Sequence, residues 1–228
     1  MHITPDHIVL WQWGPLHLNA TILFTWIVML LLTLISWLVT RRLAAPGQPR
    51  SRWQSGVAVI VELARDQIRQ ICPEASDTYL PFVGTLFLFI AVSNLLEIFP
   101  GWHAPTGSLS TTAALAISVG IAVPVFGILR HGLIGYFRHY LKPTWIMLPF
   151  HLLSETSRNL ALAVRLFGNI MSGSMIVAIL LAIAPLFVPV LMQALGLLIG
   201  LIQAYIFAIL AMVYIAAAVQ THDRQGVS

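Results

Sequence analysis

The sequence predicts an all-helical protein that crosses a membrane several times. Hydrophobic residues make up 58% of its 228 residues and charged residues 9%, whereas a soluble domain carries about 25% charged residues. Apolar segments of about twenty residues, the length of one bilayer crossing, recur along the chain. Lys and Arg fall mostly at the ends of these segments, so the net charge of +4 reports membrane orientation rather than affinity for nucleic acid.

Residues 19–40 form the first predicted span. Arg41 and Arg42 follow it directly, and cationic connections of this kind lie in the cytoplasm. Residues 1–18 are therefore expected on the non-cytoplasmic side. They contain no cationic run ahead of an apolar stretch, so we expect no cleaved signal peptide.

Residues 53–71 form a predicted amphipathic helix, with apolar and charged side chains on different faces. The apolar members are Val57, Ile60, Val61, Ala64 and Ile68, and the charged members are Glu62, Arg65, Asp66 and Arg69. Such a helix lies along a membrane surface more readily than it crosses the bilayer. We expect it on the cytoplasmic surface.

Residues 80–99 and 109–129 form the second and third predicted spans. The loop between them, 100–108, contains no Lys or Arg, so it is expected to face away from the cytoplasm. The connection after residue 129 contains Arg, His and Lys. It therefore returns the chain to the cytoplasmic side.

Residues 143–183 and 188–220 form two predicted helices that are long for an upright crossing. At about 1.5 Å per residue they would measure roughly 60 Å and 48 Å, against about 30 Å of hydrocarbon. We therefore expect both to cross obliquely. With five crossings the polar tail 221–228 is cytoplasmic, and without internal repeats the chain, 1–228, is expected to be a single membrane domain.

Arg165 lies in the middle of the first long helix, inside an apolar run. A guanidinium at the bilayer centre costs about 2.5–3.5 kcal/mol on insertion scales, and it stays protonated at physiological pH. Polar side chains within about 80° of it on a helical wheel form one stripe; they are His151, Ser154, Glu155, Arg158, Asn169 and Ser172. No acid lies one turn before or after Arg165, so its counterion is expected from elsewhere, including another subunit.

Four charged or titratable side chains have two interpretations each. Glu155 and Arg158, three residues apart, either line a channel or form a local ion pair. Glu97, close to the end of its span, is either a channel group or a solvated carboxylate. His103 lies in a loop, where it is either a channel group or an ordinary surface residue.

One face of the last helix carries Gly196, Gly200, Gln203 and Tyr214. The two glycines let a neighbouring helix approach closely, and packing alone would explain them. Gln203 adds a donor and an acceptor to this face. We expect Gln203 either to meet Arg165 across the two helices or to form an ordinary hydrogen bond between helices.

The chain resembles subunit a of the F-type ATP synthases in two motifs that occur in the same order. The first is Arg165-Leu-Phe-Gly-Asn-Ile-Met-Ser-Gly173, and the second is Leu201-Ile-Gln-Ala-Tyr-Ile-Phe207, followed by Val213-Tyr214. Further matches are Asn94-Leu-Leu-Glu97 and Pro105-Thr-Gly-Ser-Leu-Ser-Thr-Thr112. The order of predicted elements agrees with that family over nearly the whole chain.

The resemblance implies a non-catalytic stator subunit that couples ion flow to rotation. In that family the arginine matching Arg165 faces a ring of c subunits, each with a carboxyl group in mid-membrane, and two offset aqueous half-channels reach this interface. The implied partners are the c ring, b-type peripheral stalk subunits, other ATP synthase subunits and membrane lipid, with no cofactor, metal or nucleic acid. The implied location is the bacterial inner membrane. The residues expected to act in ion translocation are Arg165, Gln203, Asn169, Glu155, Arg158, His151, Glu97 and Tyr214.

The sequence departs from the family pattern at two positions. Many members carry Glu or His nine residues after the arginine, and His or Glu seven residues before the glutamine. Here these positions are Ser174 and Gly196. The remaining titratable candidates for the channel are Glu97, Glu155, His151 and His103. The departure leaves the coupling ion open between proton and sodium.

A secondary transporter that binds an anionic substrate through Arg165 is the alternative function. Such proteins usually show a two-fold repeat and broken helices around a central site, and the sequence has neither. An intramembrane hydrolase would need a nucleophile–base pair or a metal set, which the spans lack. Co-purification with a c ring would separate these classes.

Overall fold

The computed structural model describes residues 9–13, 16–41, 52–71, 76–99, 102–140, 147–183 and 188–220. Within these residues the α-helices are α1 Ala20–Thr40, α2 Arg52–Ile71, α3 Ser76–Leu95, α4 Leu109–Tyr140, α5 Met147–Ile183 and α6 Val188–Gln220. Two single turns of 3-10 helix, Leu96–Ile98 and Pro105–Gly107, lie in the connection between α3 and α4.

The predicted fold class, an all-helical polytopic membrane protein, is confirmed. Five of the described helices, all except α2, are long and apolar enough to cross a membrane. A short antiparallel ribbon of β1 Val9–Trp13 and β2 Leu16–Asn19 precedes them. The ribbon was not expected from the sequence. Its β-branched and aromatic residues favour strands, but its two strands are too short to give a clear alternating pattern.

The core lies where α3, α4, α5 and α6 meet. Its fully buried side chains include Ile90, Val119, Leu162, Leu166 and Phe207. The buried face of α6 is also rich in alanine, at positions 204, 208, 211 and 216. Small residues let helix backbones approach closely, and this packing stabilises helix association where lipid is as apolar as the side chains.

The helix α4 extends beyond residue 129, where the third predicted span ends, and its backbone is interrupted at Gly132. Gly132 has φ 74° and ψ 163°, a conformation that glycine adopts without the steric cost that other residues carry. The predicted span of 109–129 therefore lies within the first part of α4, and the chain changes direction at Gly132.

Asn94, near the end of α3, forms hydrogen bonds both to the α3–α4 connection and to α6. Its Nδ2 donates a hydrogen bond to the Gly200 carbonyl oxygen at 2.9 Å, and its Oδ1 accepts one from Thr106 Oγ1 at 2.7 Å. A Cβ at Gly200 would lie 3.1 Å from the Asn94 side chain, so glycine permits this approach. Because all three residues are buried, the contacts fix one wall of the site described below.

The amphipathic helix α2 packs on α3 and α6. Ile68 is buried in a cluster with Tyr79, Met212 and Ile215. Arg65 Nε lies 3.0 Å from Asp77 Oδ1 on α3. The apolar face expected from the sequence is therefore used at this contact.

Candidate functional site

Arg165 is the central residue of α5, equally far from Met147 and Ile183. Its side chain is exposed, although Leu162 and Leu166 on the same helix are fully buried in the core. Arg165 forms no ion pair with any residue that the structure describes. The charged group therefore lies on the outer surface of the helix bundle, where another molecule has access to it.

Gln203 on α6 is buried, with 6% of its surface exposed. Its Nε2 has no hydrogen-bond partner among the described residues, and a buried donor left in this way costs about 1–3 kcal/mol. No hydrogen bond joins Gln203 to Arg165 within the described chain. The expected partnership of these two residues stays a prediction.

Arg158 contacts the aromatic ring of Tyr214 across the α5–α6 interface. Its guanidinium carbon lies 5.1 Å from the ring centroid, within the range of a cation–π interaction. Sequence spacing along one helix suggested only Glu155 as a partner for Arg158, because a wheel contains no information on facing helices. Glu155 is half-buried, and the side chain of His151 lies outside the described residues.

A cavity of about 430 Å³ lies on the other side of Arg165, between α5, α6 and the end of α3. The polar residues on its wall include Asn94, Glu97, His103, Asn169, Ser174 and Gln193. Asn169 lies one helical turn beyond Arg165 on α5, so the cavity reaches from the α3–α4 connection to the immediate neighbourhood of the arginine.

Glu97 is held in this cavity by side chains from two other helices. Ser174 Oγ on α5 lies 3.3 Å from Glu97 Oε1 and donates a hydrogen bond to it. Gln193 Nε2 on α6 donates to the Glu97 backbone oxygen at 3.0 Å. Ser174 and Gln193 were not among the predicted site residues. In the sequence, Ser174 is only a departure from the family pattern, and Gln193 gives no signal.

The predicted site residues fall into two groups along α5. Glu97 and Asn169 line the cavity on the side of Arg165 toward Ile183. Glu155 and Arg158, with Tyr214 of α6, lie on the side toward Met147. In the part of the chain that the structure describes, no group of three His, Cys, Asp or Glu side chains is arranged to hold a metal ion.

Together, the fold and this site define a multi-pass membrane protein with a fixed positive charge at the middle of a spanning helix, close to a cavity that has polar side chains on its wall. The family model of the ATP synthase A chain matches residues 22–216, and the chain belongs to that family.

Close relatives share nearly the whole length of the chain. ATP synthase subunit a 1 of Crocosphaera subtropica is 57% identical over 225 residues, which cover 99% of this chain and 97% of the relative. ATP synthase subunit a 2 of Acaryochloris marina is 60% identical over 98% of this chain and 95% of its own length. ATP synthase subunit a 1 of Chlorobaculum parvum is 59% identical over 98% and 99%, respectively.

Proposed function

We propose that this chain is the membrane stator subunit of a rotary F-type ATP synthase, in which Arg165 drives ion exchange with carboxylates on a ring of c subunits. The observation that carries the proposal is the exposed position of Arg165 at the centre of α5, with no ion pair to a described residue. A permanent charge at this depth needs a partner. A passing carboxylate supplies one.

Arginine has the chemistry that this exchange requires. Its positive charge favours the ionised form of a nearby carboxyl group and therefore promotes release of the bound ion. It does not give up its own proton at accessible pH, so it prevents a direct leak past the ring. One elementary charge that crosses 100 mV releases about 2.3 kcal/mol, which rotation transmits to ATP synthesis.

Two offset half-channels serve this interface in the proposed mechanism. The cavity at Glu97 and Asn169 supports a path from the side of the α3–α4 connection. The stripe of Glu155 and Arg158 with Tyr214 supports a path from the opposite side, and His151 belongs to the same stripe in sequence. Gln203 acts beside Arg165 at the divide.

The proposed orientation follows from the cationic connections. The N-terminus lies outside and the C-terminus lies in the cytoplasm of a bacterial inner membrane, and α5 and α6 cross obliquely. The partners are the c ring, b-type stalk subunits and other ATP synthase subunits, together with lipid. The subunit itself performs no bond chemistry. The coupling ion, proton or sodium, is set by the c subunit.

The variant Arg165→Ala tests the proposal in the complete complex. We expect ATP-driven ion uptake into reconstituted vesicles to fall to background while the c ring still co-purifies with the variant. Retained coupled pumping would contradict the proposal. A wild-type chain isolated as a functional unit without a c ring would favour the alternative, a secondary transporter that binds an anion at Arg165.

A further inference from the structure

On the basis of the proposed function, we propose that Glu97 is the carboxylate that takes up and releases the transported cation in the cavity, and that Ser174 and Gln193 are positioning residues for it. The site therefore draws on α3, α5 and α6 together. The ligand is a monovalent cation, a proton or sodium.

The backbone of Glu97 is fixed by α6. Glu97 lies in the 3-10 turn Leu96–Ile98 that follows α3 directly. Carbonyl oxygens at the end of a helix lack partners within the helix, and Gln193 Nε2 donates to that of Glu97 at 3.0 Å. This bond holds the turn against α6 and keeps the carboxyl group on the cavity wall.

The hydroxyl of Ser174 suits both charge states of Glu97. Ser174 Oγ lies 3.3 Å from Glu97 Oε1 and 2.9 Å from the backbone oxygen of Ile170. A hydroxyl offers one donor and two acceptor lone pairs. The ionised carboxylate accepts a hydrogen bond from the Ser174 hydroxyl. When Glu97 carries a proton, its O–H donates to Ser174 Oγ, and Ser174 donates to Ile170 instead.

Loading and unloading Glu97 therefore leaves none of these groups without a partner. A buried donor or acceptor that loses its partner costs about 1–3 kcal/mol, and Ser174 removes that cost from the exchange. A sodium ion would meet Glu97 Oε1 and Ser174 Oγ, and hard cations prefer oxygen ligands of this kind.

The cavity connects Glu97 with the arginine region. Trp102 and His103 line it at the α3–α4 connection, and Asn169 lines it one turn from Arg165. Ser174 is nine residues beyond Arg165 on α5, roughly 13 Å along the helix axis. This gap exceeds a single hydrogen bond, so water in the cavity carries the cation between Glu97 and the ring.

Two pairs of variants in the assembled complex, reconstituted in vesicles, test the proposal. We expect Glu97→Gln to lower ATP-driven cation uptake at least about tenfold, with partial rescue in Glu97→Asp. We expect Ser174→Ala to lower it several-fold, with rescue in Ser174→Thr. Uptake is followed with a ΔpH dye and with radioactive sodium, and the cation that the wild type pumps identifies the ligand.

Matched controls isolate these effects. Glu62→Gln removes an exposed carboxylate on α2 that pairs with Arg65. Ser118→Ala removes a serine on α4 that donates to its own helix, at Leu115, as Ser174 does at Ile170. Both controls are expected to pump within about twofold of the wild type, the small effect typical of substitutions away from a site.

The exchange variant, Glu97→Ser combined with Ser174→Glu, moves the carboxylate across the 3.3 Å contact. We expect it to recover the cation pumping that each single change loses. If Glu97→Gln does not assemble, pumping by the exchange variant tests the role of Glu97 in its place. Pumping by Glu97→Gln close to the wild type, or no recovery in an assembled exchange variant, would overturn the proposal. If Arg165→Ala behaves as expected in the same assay, that failure concerns Glu97 alone; an active Arg165→Ala would refute the proposed function.

Discussion

The α5–α6 pair has a different character on the two sides of Arg165. Toward Ile183, a cavity contains a carboxylate that hydrogen bonds from two helices hold in place. Toward Met147, a guanidinium rests on an aromatic ring. One helix pair thus contacts the hydrogen-bonded carboxylate of Glu97 on one side of Arg165. On the other side it carries the guanidinium of Arg158 against the ring of Tyr214.

The spacing of the two regions gives this difference a functional meaning. Glu155 and Ser174 are nineteen residues apart on α5, roughly 28 Å along the helix axis. The Glu97 carboxyl group meets α5 at Ser174, so the acids Glu97 and Glu155 contact this helix on opposite sides of Arg165. This is the arrangement that two separate ion paths require.

The Asn94–Gly200 contact anchors the cavity region, and Gly200→Ala should break it. The added methyl group would lie 3.1 Å from the Asn94 side chain, and overpacking of this kind costs about 1–3 kcal/mol. We expect a lower thermal unfolding temperature in detergent.

Gly196→Ala on the same helix is the matched control. A Cβ there meets nothing within 4 Å, and alanine is about 1 kcal/mol more favourable than glycine in a helix. Its unfolding temperature should be unchanged or higher. Equal destabilisation by the two variants would show that the Asn94 contact does not matter.

Glu155→Gln tests whether the opposite region also conducts ions. If Glu155 belongs to the second path, passive ion conductance through the rotor–stator complex should fall several-fold, equivalent to about 1 kcal/mol. Glu62→Gln on the exposed face of α2 is the control. Conductance that does not change would assign Glu155 to a structural pair.

Tyr214→Leu examines the smallest effect, the contact that holds Arg158. A cation–π interaction at an exposed site contributes about 0.5–1 kcal/mol, so Tyr214→Leu should lower the free energy of unfolding in detergent by that amount. Tyr214→Phe retains the ring, so its free energy of unfolding should stay close to that of the wild type. Comparable losses in both variants would point to the hydroxyl group instead.

Local patterns predicted most of the fold. Hydropathy indicated the five apolar helices, and the periodicity of residues 53–71 indicated the amphipathic face of α2, which packs through Ile68. The same local logic selected Arg165, because no acid lies near it on its own helix. The ribbon at the N-terminus was not predicted, since its strands are short. The oblique course of α5 and α6 stays a prediction.

The partners of the site residues depended on tertiary packing. Ser174 and Gln193 reach Glu97 across 77 and 96 residues of sequence, and no pattern within one helix reports such contacts. Arg158 lies against Tyr214 for the same reason. The sequence thus located the charged groups, whereas the packing of α3 and α6 on α5 determined their neighbours.

The most direct test of the role of Arg165 is a cryo-EM structure of the complete complex, with this chain and a c ring together. The guanidinium should face the ring, within about 4 Å of a c-subunit carboxylate in at least one rotary position. A guanidinium that points into its own helix bundle and pairs with an acid of the same chain would contradict the rotary mechanism.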